Sequence, residues 1–121
     1  MKNPKAKGTK SEYKVRDLFE KKGWFVVRST GSFSPIDLVC IKKKKVILVQ
    51  IKSSSKKVLY QKEAVPNRIE GIRTILVVDF GRYGLKVTKS KKKIKVSDGI
   101  KLEEFLESLE EKHRGPWPSM D

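Results

Sequence analysis

Two short apolar runs, Ile36–Ile41 and Val46–Ser53, are separated only by the four lysines Lys42–Lys45. Four consecutive ammonium groups are too polar to bury, so they form a surface loop. A four-residue loop between two runs of strand length predicts an antiparallel hairpin. Symmetric pairing about the loop sets Ile41 against Val46 and Asp37 against Gln50. Directly opposed residues project from the same sheet face, and Lys52, two residues beyond Gln50, shares that face. The hairpin thus gathers a carboxylate, an amide oxygen and an ammonium on one surface. A slip of one residue would put Asp37 and Gln50 on opposite faces.

Around this hairpin all 121 residues read as a single mixed α/β domain. Met1–Thr9 is expected to be a flexible basic arm. Ser11 is placed to cap a helix that runs to about Lys22 and stops at Gly23, with Val15, Leu18 and Phe19 as its apolar stripe. Glu12 rides the edge of that stripe. Trp24–Arg28 predicts a strand and Ser29–Pro35 a polar, turn-rich connection. Thr74–Phe80, Leu85–Thr88 and Ile94–Val96 predict further strands, with a turn at Gly81–Gly84. Leu102, Phe105, Leu106 and Leu109 recur at i, i+3, i+4 and i+7 and predict a C-terminal amphipathic helix. Gly115–Asp121 is expected to be an irregular tail. Val58–Arg73 stays ambiguous, because Pro66 interrupts what would otherwise be one helix.

Charge narrows the partner. Lys and Arg number 29 against 14 Asp and Glu, a formal net charge of +15. Nucleic acid answers such an excess, because neutralising phosphates releases counterions whatever the base sequence. No apolar stretch approaches the ~20 residues that span a bilayer, so no membrane association is expected. Met1–Lys10 is basic and lacks the apolar centre of a secretory signal, and the expected setting is cytoplasmic. A lone cysteine, Cys40, excludes an internal disulfide and a multi-cysteine zinc site. It reads as a small core residue. His113 is the only histidine and reads as a surface group near a helix end.

Asp37, Gln50 and Lys52 suit phosphodiester hydrolysis. Mg²⁺ takes hard oxygen ligands and retains several waters, so one carboxylate, carbonyl oxygens and a DNA phosphate can hold it. The metal polarises the phosphoryl oxygen and acidifies a water, while a lysine orients that water and offsets developing charge. Each residue also has a bland reading: Asp37 as a turn residue, Lys52 as one more solvated lysine, Gln50 as an exposed polar group. Singly those readings prevail; jointly, in an otherwise apolar strand pair, the site prevails. For Glu12 alone a solvated first-turn carboxylate is the simpler reading.

Here the sequence resembles a known family. Pro35-Ile36-Asp37 followed by Gln50-Ile51-Lys52 on the next strand looks like the PD-(D/E)xK nuclease signature. Lys7-Gly8-Thr9-Lys10-Ser11-Glu12, then Gly23-Trp24-Phe25-Val26-Val27-Arg28, resembles the opening of archaeal Holliday junction resolvases of the Hjc type. The resemblance covers roughly Lys7–Ser53. It implies a restriction-endonuclease-like fold: a mixed central sheet flanked by helices. It implies an active site of Glu12, Asp37, Gln50 and Lys52, with Glu12, Asp37 and Gln50 towards Mg²⁺ or Mn²⁺. Ser32 is its match for a catalytic loop serine, with Ser29 and Ser34 as alternatives. It further implies a homodimer that cuts symmetric strands of a four-way DNA junction. Gln50 departs from the family's second acid and removes one negative charge from the metal site; the Mrr-type branch of the superfamily has a similar QxK motif. An Mrr-like nuclease on another DNA substrate and a non-catalytic DNA-binding module are the alternatives. No aromatic RNA-recognition motif supports an RNA partner.

Overall fold

The computed structural model describes residues 4–29 and 35–110. Ser32, Ser34, His113 and the expected tail Gly115–Asp121 lie outside the described residues.

The first helix, α1, spans Pro4–Lys21. It begins well before Ser11, so the expected arm is helical from Pro4 onward. Proline suits a helix start, where its missing N–H would have had no partner. Ser11 therefore sits inside the helix and is not its cap; it is buried, and its hydroxyl donates to Asp79 Oδ2 at 2.8 Å. The other end follows expectation. Gly23 takes φ +91°, its N–H bonds to the Glu20 carbonyl at 2.9 Å and Trp24 N–H bonds to the Phe19 carbonyl at 3.0 Å. These two bonds close a Schellman motif, which needs a residue that tolerates the left-handed region.

Strands β1 (Phe25–Arg28), β2 (Leu38–Lys42) and β3 (Lys45–Ser53) form an antiparallel meander. The register has Ile41 opposite Val46 and Leu38 opposite Val49, as symmetric pairing requires. The loop is tighter than four residues. Lys42 pairs with Lys45, and Lys43 and Lys44 alone make the turn, with φ of 47° and 71°. Two successive positive φ values match the twist of a two-residue hairpin.

The ambiguous segment resolves into β4 (Val58–Tyr60) and β5 (Arg68–Ile69), followed by β6 (Ile72–Asp79), β7 (Leu85–Thr88), β8 (Lys93–Lys95), β9 (Ile100–Lys101) and helix α2 (Leu102–Leu109). The main sheet runs β1-β2-β3-β6-β7-β9, with β5 beside β6. Among the described residues only β3 and β6 pair in parallel, so the chain between them crosses over rather than turning back. Strands β4 and β8 form a separate ribbon.

Side chains alternate between two cores. Val15 and Phe19 of α1 and Leu102, Phe105, Leu106 and Leu109 of α2 cover one face, against Leu38, Cys40, Ile47, Val49, Ile75 and Val77. Phe19 meets Trp24 edge-to-face at 5.6 Å. Leu76, Val78, Phe80 and Ile94 build the second core on the other face. Strand β6 serves both, which explains its unbroken apolar run. Full burial of a side chain such as Phe19 contributes roughly 1.5–3 kcal/mol.

Candidate active site

Asp37 stands immediately before β2 and is held by backbone on several sides. Its N–H donates to the Val49 carbonyl at 2.8 Å, its carbonyl accepts from Ser29 N–H at 2.9 Å, and its Oδ2 accepts from Ile51 N–H at 2.7 Å. Strand β2 contributes no residue opposite Ile51, so the carboxylate takes the place of a ladder carbonyl. That fixes the side chain against β3, and its second oxygen leaves capacity for a cation.

Glu12 reaches the same place from α1. Its Oε1 accepts from Arg28 Nη2 at 2.8 Å and Nε at 3.2 Å. The Arg28 guanidinium lies over the Tyr13 ring at 5.0 Å, and Arg16 lies over that ring at 4.7 Å. Partnership with Glu12 raises the Arg28 pKa further. Glu12, Asp37 and Lys52 line one cleft of about 290 Å³, together with Ser11, Ile51 and Ser53. Burial pushes the Asp37 carboxyl above its ordinary range; the Ile51 N–H opposes this, the Glu12 charge adds to it and the Lys52 ammonium offsets it. A carboxyl raised by burial and shaped by two specific charges in a cleft marks a candidate functional site.

Gln50 is placed differently. It is buried, and its Oε1 accepts from Ser90 Oγ at 3.3 Å; Ser90 in turn accepts from Gln61 Nε2 at 3.0 Å. Its side chain is not part of the lining shared by Glu12, Asp37 and Lys52.

The structure adds residues that sequence reasoning missed. Asp79 ends β6 beside Ser53, in register with it. Its Oδ2 accepts from Ser11 and from Lys14 Nζ at 3.1 Å, and its Oδ1 accepts from Gly81 N–H at 2.9 Å. Burial alone would raise this carboxyl, but the bonds from Gly81, Ser11 and Lys14 outweigh it and hold the pKa below the ordinary range. A polar residue closing an apolar parallel strand was the available signal, since ligands gather at the carboxyl ends of such strands. Nothing local announced Arg28 as the partner of Glu12. A larger cavity, about 670 Å³, is lined by Arg68, Arg73 and Lys89 near the start of β6 and contains none of Glu12, Asp37, Gln50 and Lys52.

Among the described residues no three acidic, histidine or cysteine groups converge as a metal cluster. Mg²⁺ does not need one: one or two carboxylates, waters and substrate phosphates suffice. Asp37 and Glu12 on one cleft supply the carboxylate oxygens that fit a hard divalent cation.

A family model for archaeal Holliday junction resolvases (Hjc) matches residues 3–114. Among solved structures, the chain is similar to Hjc of Archaeoglobus fulgidus, a Holliday junction resolvase from an archaeal hyperthermophile. The TM-score is 0.64 and the identity 19%, over 84% of this chain and 96% of that one. It is also similar to the bacterial homing endonuclease I-Ssp6803I, with a TM-score of 0.60 and 20% identity over 78% of this chain and 75% of that one. At such identities the structural likeness is one of fold, and the fold is restriction-endonuclease-like, as expected. No curated protein matches the chain by sequence.

Proposed function

This chain belongs to the archaeal Holliday junction resolvase family, nucleases that act on four-way DNA junctions, and we propose that its cutting centre is the cleft of Glu12, Asp37 and Lys52. The observation that carries this reading is the meeting of two carboxylates and an ammonium, from α1, the approach to β2 and the end of β3, in one small cleft. Divalent-metal dependence is general for the family; Mg²⁺ is the ion proposed here, with Mn²⁺ able to replace it. Asp37 and Glu12 would hold the ion. When bound, it supplies positive charge against the phosphoryl oxygens and a more acidic water. Lys52 orients the attacking water and offsets charge that builds on the phosphate. Asp37 is pre-set for its role by the Ile51 N–H, which fixes one carboxylate oxygen. Gln50 would reach the ion only by giving up its bond from Ser90 Oγ, and its amide oxygen would then add a ligand but no charge. Ser32, outside the described residues, remains the proposed contact to the scissile phosphate.

We also propose that two copies act together, because a junction is resolved by cutting two strands. Isologous pairing would place two clefts about a two-fold axis.

The deciding experiment compares cleavage of four-way junction, linear duplex and flap DNA, with and without Mg²⁺. Wild type should make paired, symmetric cuts in junctions and need the ion. Lys52→Ala and Asp37→Asn should lower the cutting rate by about 10²–10³-fold while binding junctions nearly as well, since one side chain barely alters the field of a +15 protein. Normal cutting by either variant would rule out this cleft. Preference for linear duplex would favour the Mrr-like alternative.

A further inference from the structure

The β4–β8 ribbon has two unlike faces. Leu59 and Ile94, directly opposed, turn inward to the second core. Their neighbours Val58, Tyr60, Lys93 and Lys95 therefore face the other way, and with Lys57 and Tyr83 they line a groove of about 600 Å³. Tyr60 is 66% exposed, so its ring is open to a partner. Lys93, its cross-strand partner, holds Nζ 5.9 Å from the Tyr60 ring centre. Lys57 Nζ and Arg82 Cζ lie 5.4 and 5.5 Å from that of Tyr83. Among the described residues no acidic side chain lines the groove.

Aromatic faces interleaved with ammonium groups are the chemistry that binds single-stranded nucleic acid: rings stack on bases while cations take the phosphates. We propose that this groove holds a nucleotide whose base face is exposed at an end or branch of the DNA substrate, its base stacked on Tyr60 and its phosphates against Lys57, Lys93 and Lys95. Base faces inside a duplex are covered by their neighbours. They become accessible where helices end or branch, so the groove selects for a break in the stack.

Position supports the same occupant. Ser53 lines the cutting cleft, and the chain turns straight from it into β4, with Ser54 Oγ donating to the Val58 carbonyl at 2.8 Å. Fully extended, the chain from Ser53 to Val58 could span no more than ~18 Å. One DNA strand can therefore reach both places. The inference deepens the junction-cutting reading and rests on it for the identity of the ligand as DNA.

A short oligodeoxythymidylate carrying one 2-aminopurine tests it, with anisotropy reporting affinity and fluorescence quenching reporting stacking. Wild type should quench the probe. Tyr60→Ala should bind it roughly 5- to 150-fold more weakly, the range for losing one base–aromatic stack, and should not quench it. Tyr60→Phe, which keeps the ring, should retain both properties, and Lys93→Gln should weaken binding while leaving quenching at saturation. Equal affinity and quenching in Tyr60→Ala would overturn the proposal. So would sedimentation showing a wild-type dimer that Tyr60→Ala converts to monomer, since the groove would then hold a second copy. Lys52→Ala should quench as wild type does. Intact quenching by a wild-type protein that cuts no junction with Mg²⁺ present would sink the cutting centre and leave the groove standing.

Discussion

The Asp37 carboxyl shows how one residue couples chemistry to stability. Its folded-state pKa lies above the ordinary value of about 3.9, so its contribution favours folding below that value and declines as pH rises through the folded value. A bound cation removes that disadvantage by favouring the ionised form. Gln50→Glu tests how close the amide stands to this balance. The new carboxylate would be buried beside Ser90, one residue from the Ile51 N–H that holds Asp37, and would repel the Asp37 carboxylate when no ion is present. The variant should lose about 1–3 kcal/mol of metal-free stability, regain more on adding Mg²⁺, and reach half-maximal cleavage at lower Mg²⁺. Thermal unfolding with and without the ion, beside a Mg²⁺ titration of cleavage, reads both effects. No change in either would mean that Gln50 has no part in holding the ion. The pairing of Ile41 with Val46 and of Leu38 with Val49 was legible because hairpin register follows from two apolar runs and their turn; the expected opposition of Asp37 and Gln50 falls one residue beyond the paired stretch, where the Asp37 N–H bonds to the Val49 carbonyl. The Ser90 bond was not, because it spans 40 residues of sequence, and only the assembled sheet and ribbon bring its partners together.

Among the elements, α1 is the one whose placement matters most to the cleft, because it carries Glu12 to a sheet that carries Asp37 and Lys52. Ser11 and Lys14 fasten it to Asp79 at the end of β6. The depressed Asp79 pKa has the opposite sign to that of Asp37. Its stabilisation is fully present above the ordinary carboxylate value and is lost as pH falls through the lower folded value. Asp79→Ala should therefore cost about 1.5–3 kcal/mol at neutral pH, the scale of hydrogen bonds to a charged group. The deficit should shrink as the pH falls below 4, as chemical denaturation at several pH values would show. A constant deficit would assign the loss to packing. The periodicity of Val15, Leu18 and Phe19 located the helix, and Gly23 its end; its beginning was missed because a serine before an apolar stripe looks the same whether it caps a helix or is buried within one. Pro66 hid β4 and β5, which are short and owe their pairing to β8 and β6 rather than to any local preference.

For the whole molecule, the surplus of 15 positive charges sets behaviour that no single site explains. Affinity for DNA should fall steeply with salt, with a log–log slope near −0.9 for each phosphate neutralised on duplex arms. Anisotropy titrations across a range of NaCl concentrations measure this, and a flat response would separate the charge from nucleic-acid binding. Mixed α/β composition, the hairpin and the nuclease signature could be read from the chain itself. The two-core construction could not, since an apolar run like that of β6 fits burial on both faces in many folds. No helix among the described residues is long and apolar enough to cross a membrane.

Because β3 and β6 run parallel, the chain between Ser53 and Ile72 must travel back along the sheet before β6 can begin. That return path is compulsory in existence but loosely specified in content: it is held by the short pairings of β4 with β8 and β5 with β6, by the burial of Leu59 and Val65, and by bonds from Gln61 and Val65 to Ser90. It supplies one side of the aromatic groove and none of Glu12, Asp37 and Lys52. Mutations there can therefore alter the proposed groove without touching Glu12, Asp37 and Lys52. In the proposed reading, target choice and bond breaking are thus free to evolve at different rates within a single small domain.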